Sequence, residues 1–153
     1  WETNYQILSM ISLNTTLGYL DTWIDKFTYQ ENSEMEGYGG DREAAMSPKV
    51  TDSFGVHFKN ISDFFGLFQM SFKDEYYFSD SHNQKSKPYT LLNINIGKSF
   101  GKTMVKLWIR NALDERYTTR GFYFGLIPPT YKDQLWKSYG DPKQIGVTID
   151  YIF

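Results

Sequence analysis

The sequence predicts an all-β fold, an antiparallel up-and-down meander of about six long strands that forms part of a large transmembrane β-barrel. Three observations predict it. Apolar residues recur at every second position through most of the chain. The pattern is clearest at the end, where Ile145, Val147, Ile149, Tyr151 and Phe153 form one file and Gln144, Gly146, Thr148 and Asp150 the other. The segments between the alternating runs are long, short, medium, short and long, the asymmetry of a barrel with tight turns at one rim and extended loops at the other. Aromatic residues make up 18% of the chain and gather near the ends of the runs, where a spanning strand meets the lipid–water border.

The first run, Tyr5 to Tyr19, reads as one long strand with an imperfect apolar file, Tyr5, Ile7, Ser9, Ile11, Leu13, Thr15, Leu17 and Tyr19, against a mostly polar one, Gln6, Leu8, Met10, Ser12, Asn14, Thr16 and Gly18. It exceeds the ordinary strand of about 5–6 residues and suffices for the roughly 9–11 of a tilted spanning strand. Gln30 to Ala45 is polar, acidic and glycine-bearing, and reads as a long loop. Ser47-Pro48-Lys49 opens a second strand, with Val50, Phe54, Val56 and Phe58 opposite Thr51, Ser53, Gly55 and His57, and with Asp52 interrupting the apolar file. Asn60–Asp63 is a short turn. In the third strand Phe64, Gly66, Phe68, Met70, Phe72, Tyr76 and Phe78 share a file that Asp74 breaks.

Ser79 to Lys87 is a medium loop. A fourth strand starts at Tyr89 and sets Leu92, Ile94 and Ile96 against Asn93, Asn95 and Gly97. Ser99–Lys102 is a short turn, and a fifth strand sets Val105, Leu107 and Ile109 against Lys106, Trp108 and Arg110. Asn111 to Tyr139 is a long connection rich in aromatic and cationic residues. Pro142 precedes the terminal strand, where a missing N–H does least harm. If that strand runs inward, Asn60–Asp63 and Ser99–Lys102 fall on the periplasmic side and the longer connections outside. Tyr19, Trp23, Tyr76, Phe78 and Tyr89 then form one aromatic girdle, and Tyr5, Phe58, Phe64, Phe100, Tyr151 and Phe153 the other. The terminal strand is expected to pair with Val105–Ile109. Six strands fall short of the floor of about 8 for a single-chain barrel, so residues 1–153 read as carboxy-terminal strands with earlier ones upstream of Trp1.

Composition narrows the function classes. A net charge of -2 lacks the basic footprint of a nucleic-acid binder. A mean hydropathy of -0.50, without an apolar run near the ~20 residues of a membrane helix, argues against spanning helices but not against a barrel, whose lumen is polar. With no cysteine there is no disulfide framework and no thiolate metal site. His57 and His82 stand alone, without metal-ligand spacing. Gly37-Tyr38-Gly39-Gly40 has no following helix and reads as a flexible loop rather than a phosphate cradle. Asp74 and Glu75, adjacent in an extended run, would point to opposite faces. No enzyme activity, cofactor or metal is expected.

The last residues carry a specific resemblance. Gly140-Asp-Pro-Lys-Gln-Ile-Gly-Val-Thr-Ile-Asp-Tyr-Ile-Phe153 is similar to the closing strand of TonB-dependent outer-membrane receptors. Asn111-Ala-Leu-Asp-Glu-Arg-Tyr117 resembles that family's Asn-Leu-x-Asp-x-x-Tyr element, with Ala112 shifting the Asn–Leu spacing. Tyr89-Thr-Leu-Leu-Asn93 and Ser47-Pro-Lys49 are weaker echoes, and Lys143 stands where the family often has Arg. The resemblance implies a location in the cell outer membrane and energised uptake of a scarce small-molecule ligand, such as an iron chelate, vitamin or oligosaccharide. It implies lipid contact, contact with TonB through an amino-terminal part of the parent protein, and recognition by the barrel-assembly machinery. Gln144, Gly146, Ile149, Tyr151 and Phe153 match the signal which that machinery reads.

Ligand-binding candidates are sought in the outer loops and the lumen. Arg116, Arg120, Tyr123 and Trp136 mix cations with aromatics, the usual anchors of binding surfaces. Lys73 and Arg110 fall in the lumen-facing register, where a charge costs little because the lumen is wet. Two rival readings predict the same strands. One is a passive porin or small barrel. The other is a soluble β-sandwich binding module, in which Ile145, Val147 and Ile149 would be buried against a second sheet.

Overall fold

The structure is a computed structural model that describes residues 1–30 and 36–153. Its strands are β1 (Glu2–Leu8), β2 (Ile11–Tyr19), β3 (Phe27–Gln30), β4 (Glu36–Gly39), β5 (Val50–Ile61), β6 (Phe64–Lys73), β7 (Tyr89–Phe100), β8 (Thr103–Arg110), β9 (Thr118–Phe124), β10 (Gln134–Tyr139) and β11 (Gln144–Tyr151). Seven of them form one sheet in the order β1-β2-β5-β6-β7-β8-β11, with every neighbouring pair antiparallel. The chain is all-β and the sheet is an up-and-down meander, as expected. Among the described residues it does not close: β1 and β11 are its two edges.

The run from Tyr5 to Tyr19 is two strands, not one. Leu8 pairs with Ile11 across a turn at Ser9-Met10, and the side-chain amide of Gln6 donates to the carbonyls of Leu8 and Ile11, fastening the turn. The alternation hides this turn because odd residues face odd residues across it: Thr3 pairs with Thr15 and Tyr5 with Leu13. Tyr5 therefore lies mid-strand rather than at a rim, and the second strand stops at Tyr19. The main sheet thus has seven strands.

Two expected loops also contain strands. β4 lies within the segment read as the loop Gln30–Ala45 and pairs with β3, which runs into that segment at Gln30; residues 31–35 lie outside the described residues. β9 pairs with β10 within Asn111–Tyr139. The tight turns lie where expected. Ser62 and Asp63 both have positive φ (52° and 66°), a left-handed pair suited to a tight hairpin, and Gly101 takes φ 60° in the next one.

The registers sort the sheet into two faces. On one, the rows Leu13–Val56–Phe68–Ile94–Ile109–Ile145 and Phe58–Gly66–Ile96–Leu107–Val147 run across the strands. On the other lie Asn14, Thr16, Ser53, Gln69, Ser71, Asn93, Asn95, Lys106 and Thr148. Ile145, Val147 and Ile149 are 63%, 62% and 68% exposed, so no second sheet covers them. Fully burying one such side chain is worth about 1.5–3 kcal/mol, so this face is an unmet driving force toward lipid or another apolar partner. Asp52 does fall on this face, beside Phe72 and Leu17 at the long-loop end.

The third run ends at Lys73, so Tyr76 and Phe78 are not girdle residues. They are the two buried hydrophobic side chains of the described chain (5% and 8% exposed) and form the centre of a layer built by the long connections. Their rings meet edge to face at 5.9 Å. The Tyr76 hydroxyl lies 3.2 Å from the carbonyl oxygens of both Thr118 and Thr119, and the Phe78 ring occupies the space a Cβ on Gly121 would need. Burial against protein, rather than placement at a lipid border, satisfies these two rings.

Candidate functional site

The long-loop rim carries the built polar structure. Its clearest element is the turn that follows β8. Asn111, only 4% exposed and at φ 47°, uses all its polar atoms. Its backbone N–H donates to Asn93 Oδ1 at 3.0 Å, tying the turn to β7. Its Nδ2 donates to the carbonyls of Glu115 (2.9 Å) and Asp141 (3.0 Å), and its Oδ1 accepts the Glu115 N–H (2.9 Å). Asp114 Oδ1 accepts the N–H of Lys143 at 3.0 Å, just before β11. Tyr117 stacks on Tyr89 with ring centroids 4.6 Å apart, and its carbonyl accepts the Gly140 N–H at 3.0 Å. The Asn…Asp…Tyr spacing thus has a physical meaning: each of the three side chains joins the exit of β8 to a distant part of the rim.

Beside this turn lies a hollow of 250 Å³ lined by Lys87, Tyr89, Glu115, Arg116, Tyr117, Lys137 and Tyr139. An adjoining hollow of 410 Å³ shares Glu115, Arg116 and Tyr139 and extends to Asp114, Gly140 and Pro142. The Arg116 guanidinium sits over the Tyr139 ring at 4.4 Å, a cation–π contact.

The other loops pack into a second polar cluster. The Tyr77 ring lies between Arg42 (5.0 Å) and the ammonium of Lys85 (4.2 Å). Lys85 donates to Glu75 at 2.9 Å, and this carboxylate holds the lysine above its ordinary pKa. Glu43 receives Lys49 at 2.8 Å, and the bond keeps its carboxyl below the usual range. His82 contacts the Tyr123 ring at 5.7 Å. Burial, with help from the Arg42 charge, lowers its pKa.

The candidate residues read from the sequence do not form one site. Arg116 enters the hollow. Arg120 is exposed on β9 opposite Ser138, on the same face of the hairpin as Trp136, whose indole N–H donates to the Phe124 carbonyl at 3.2 Å. Tyr123 lies on the opposite hairpin face, toward His82. Lys73 lines a separate groove of 340 Å³ on the polar face with Thr16, Ser53, Ser71 and Tyr89. Arg110 sits 5.4 Å over the Trp108 ring and opposite Gln144. Lys87 and the pair Tyr89–Tyr117 escaped sequence reasoning as one site because they are far apart in the chain. Of the terminal residues, Gln144 lies opposite Arg110, Gly146 opposite Trp108, Ile149 opposite Val105, and Tyr151 opposite Thr103, with its ring 5.2 Å from that of Phe153.

Taken together, the open antiparallel meander, its exposed apolar face and its folded loop rim are consistent with a segment of a β-barrel wall. Among solved structures, the chain is similar to the ferric yersiniabactin uptake receptor FyuA from Yersinia pestis, with a TM-score of 0.70 and 11% sequence identity. The match covers 99% of this chain and 22% of that receptor, so the fold is receptor-like over a part of the receptor's length. No family model matches the sequence.

Proposed function

We propose that the chain forms wall and outer loops of a TonB-dependent receptor in the outer membrane, serving energised uptake of a scarce small-molecule ligand. The observation that carries the proposal is the apolar face that crosses all seven strands, over which no protein layer lies among the described residues, backed by a polar face. The likeness to an uptake receptor and the resemblance of Asn111–Tyr117 and of Gln144–Phe153 to TonB-dependent receptors support it further. On this reading outer-membrane lipid covers the Ile145–Ile149 file. The barrel-assembly machinery reads β11, and TonB engages the amino-terminal part of the parent protein. The free edges of β1 and β11 meet further strands, as a spanning sheet without closure would leave backbone groups unpaired in lipid.

The test is energised uptake by cells carrying the parent gene in their outer membranes, measured with and without the inner-membrane energiser. Uptake that needs the energiser supports the proposal. Equal uptake in both conditions overturns it and leaves the passive pore, which shares the strands but not the energy dependence.

A further inference from the structure

We propose that the 250 Å³ hollow beside the Asn111–Tyr117 turn is a binding site for an anionic group, a phosphate or carboxylate, held against an aromatic wall. Three cations line it, Lys87, Arg116 and Lys137, against one carboxylate, Glu115. The ion pairs found among the described residues are Lys49–Glu43, Lys85–Glu75 and Lys106–Asp150, so none of these three cations has an acidic partner there. Cations gathered round a concavity focus a positive potential into it, and an entering anion relieves their mutual repulsion.

Arg116 also carries a fork of N–H donors that can meet two oxygens of one ligand group, and its guanidinium rests against the Tyr139 ring at 4.4 Å. The backbone on either side of Arg116 is pinned, at Glu115 by Asn111 Nδ2 (2.9 Å) and at Tyr117 by the Gly140 N–H (3.0 Å). The main chain that carries Arg116 therefore needs little further ordering on binding, while the exposed lysine side chains settle onto the ligand. The stacked Tyr89–Tyr117 pair supplies the apolar wall. The volume suits a head group rather than a whole drug-sized ligand, for which roughly 300–1,000 Å³ is usual. The adjoining 410 Å³ hollow, which adds Asp114, receives the uncharged remainder.

The chemistry stands whether or not the chain serves uptake. The anion has two sources, a free solute or the phosphate of a lipid head group. The intact protein, in zwitterionic detergent and phosphate-free buffer, is titrated calorimetrically with inorganic pyrophosphate. One-to-one binding is expected, weakened by salt and weakened about tenfold or more in Arg116→Gln and in the double variant Lys87→Ala/Lys137→Ala. Lys102→Ala, in a turn at the other rim, leaves it unchanged. The titration is repeated in phosphatidylcholine nanodiscs with and without diphosphoryl lipid A. Competition by lipid A supports the site with a head-group source, and unaltered pyrophosphate binding supports it with a solute source. No binding, or equal binding by the wild type and by variants that keep its unfolding temperature, overturns the proposal. The uptake assay is a separate readout, so the two readings fail independently.

Discussion

The indole of Trp108 on β8 occupies the space that a Cβ on Gly146 of β11 would need, and the two residues are direct cross-strand partners. The same device recurs on the polar face, where the Phe65 ring lies over Gly97 of the neighbouring strand. An aromatic ring laid over a glycine shields bare backbone from solvent and pins register at that row. Gly146 is therefore held by the ring beside it as well as by any signal it belongs to.

Gly146→Ala puts a methyl into that ring and is expected to destabilise the sheet by about 1–3 kcal/mol, the usual cost of overpacking. Gly146→Ala combined with Trp108→Ala recovers part of the loss. Urea unfolding of the four proteins of the cycle in lipid vesicles measures the coupling. Additive losses would show that the ring and the glycine are independent.

The two faces of β11 respond oppositely to charge. Val147→Arg, in the exposed apolar file, is expected to cost about 2–4 kcal/mol in a bilayer, and Thr148→Glu, on the polar face opposite Lys106, close to nothing. Unfolding free energies in vesicles check this. Equal losses would contradict a lipid-facing file.

Asn111→Ala removes three side-chain hydrogen bonds, two of them to part-buried carbonyls, so a loss of about 2–3 kcal/mol is expected. Asp114→Ala loses one bond, to the Lys143 N–H, and about 1 kcal/mol. Amide exchange at Glu115, Gly140 and Lys143 reads the effect. Protection should fall at all three in the first variant and at Lys143 in the second.

The loop layer should loosen in mild acid. Burial, aided by the Arg42 charge, lowers the His82 pKa from its ordinary 6.5. Its Nδ1 accepts the Gln84 N–H at 3.3 Å, a bond that a proton on that nitrogen abolishes. As pH falls through 6.5 the unfolded loop takes up the proton first, so stability is full above that value and declines below it until the folded group also titrates. Exchange protection around Tyr76 and Phe78 at pH 7.5 and 5.5 tests this. His82→Gln should remove the pH dependence attributable to this group.

What was legible in the sequence was whatever depends on neighbours in the chain. Period-2 alternation names the face of each residue, so the Ile145–Tyr151 file, its pairing with Val105–Ile109 and the tight turns at Asp63 and Gly101 could all be read. The same locality hid the Ser9-Met10 turn, since from Gln6 and Ser12 outward odd residues face odd ones across it and the two files keep their faces on both strands. It also placed Tyr76 and Phe78 in a girdle, because an aromatic at the end of an alternating run reads alike whether lipid or protein covers it. Only the tertiary structure decided what lies beside what: Trp108 over Gly146, Phe78 over Gly121, and Lys87 sharing a hollow with Arg116 and Lys137. The physical reason is that alternation is a property of one strand, whereas register and loop packing bring together residues whose separation along the chain no local pattern encodes.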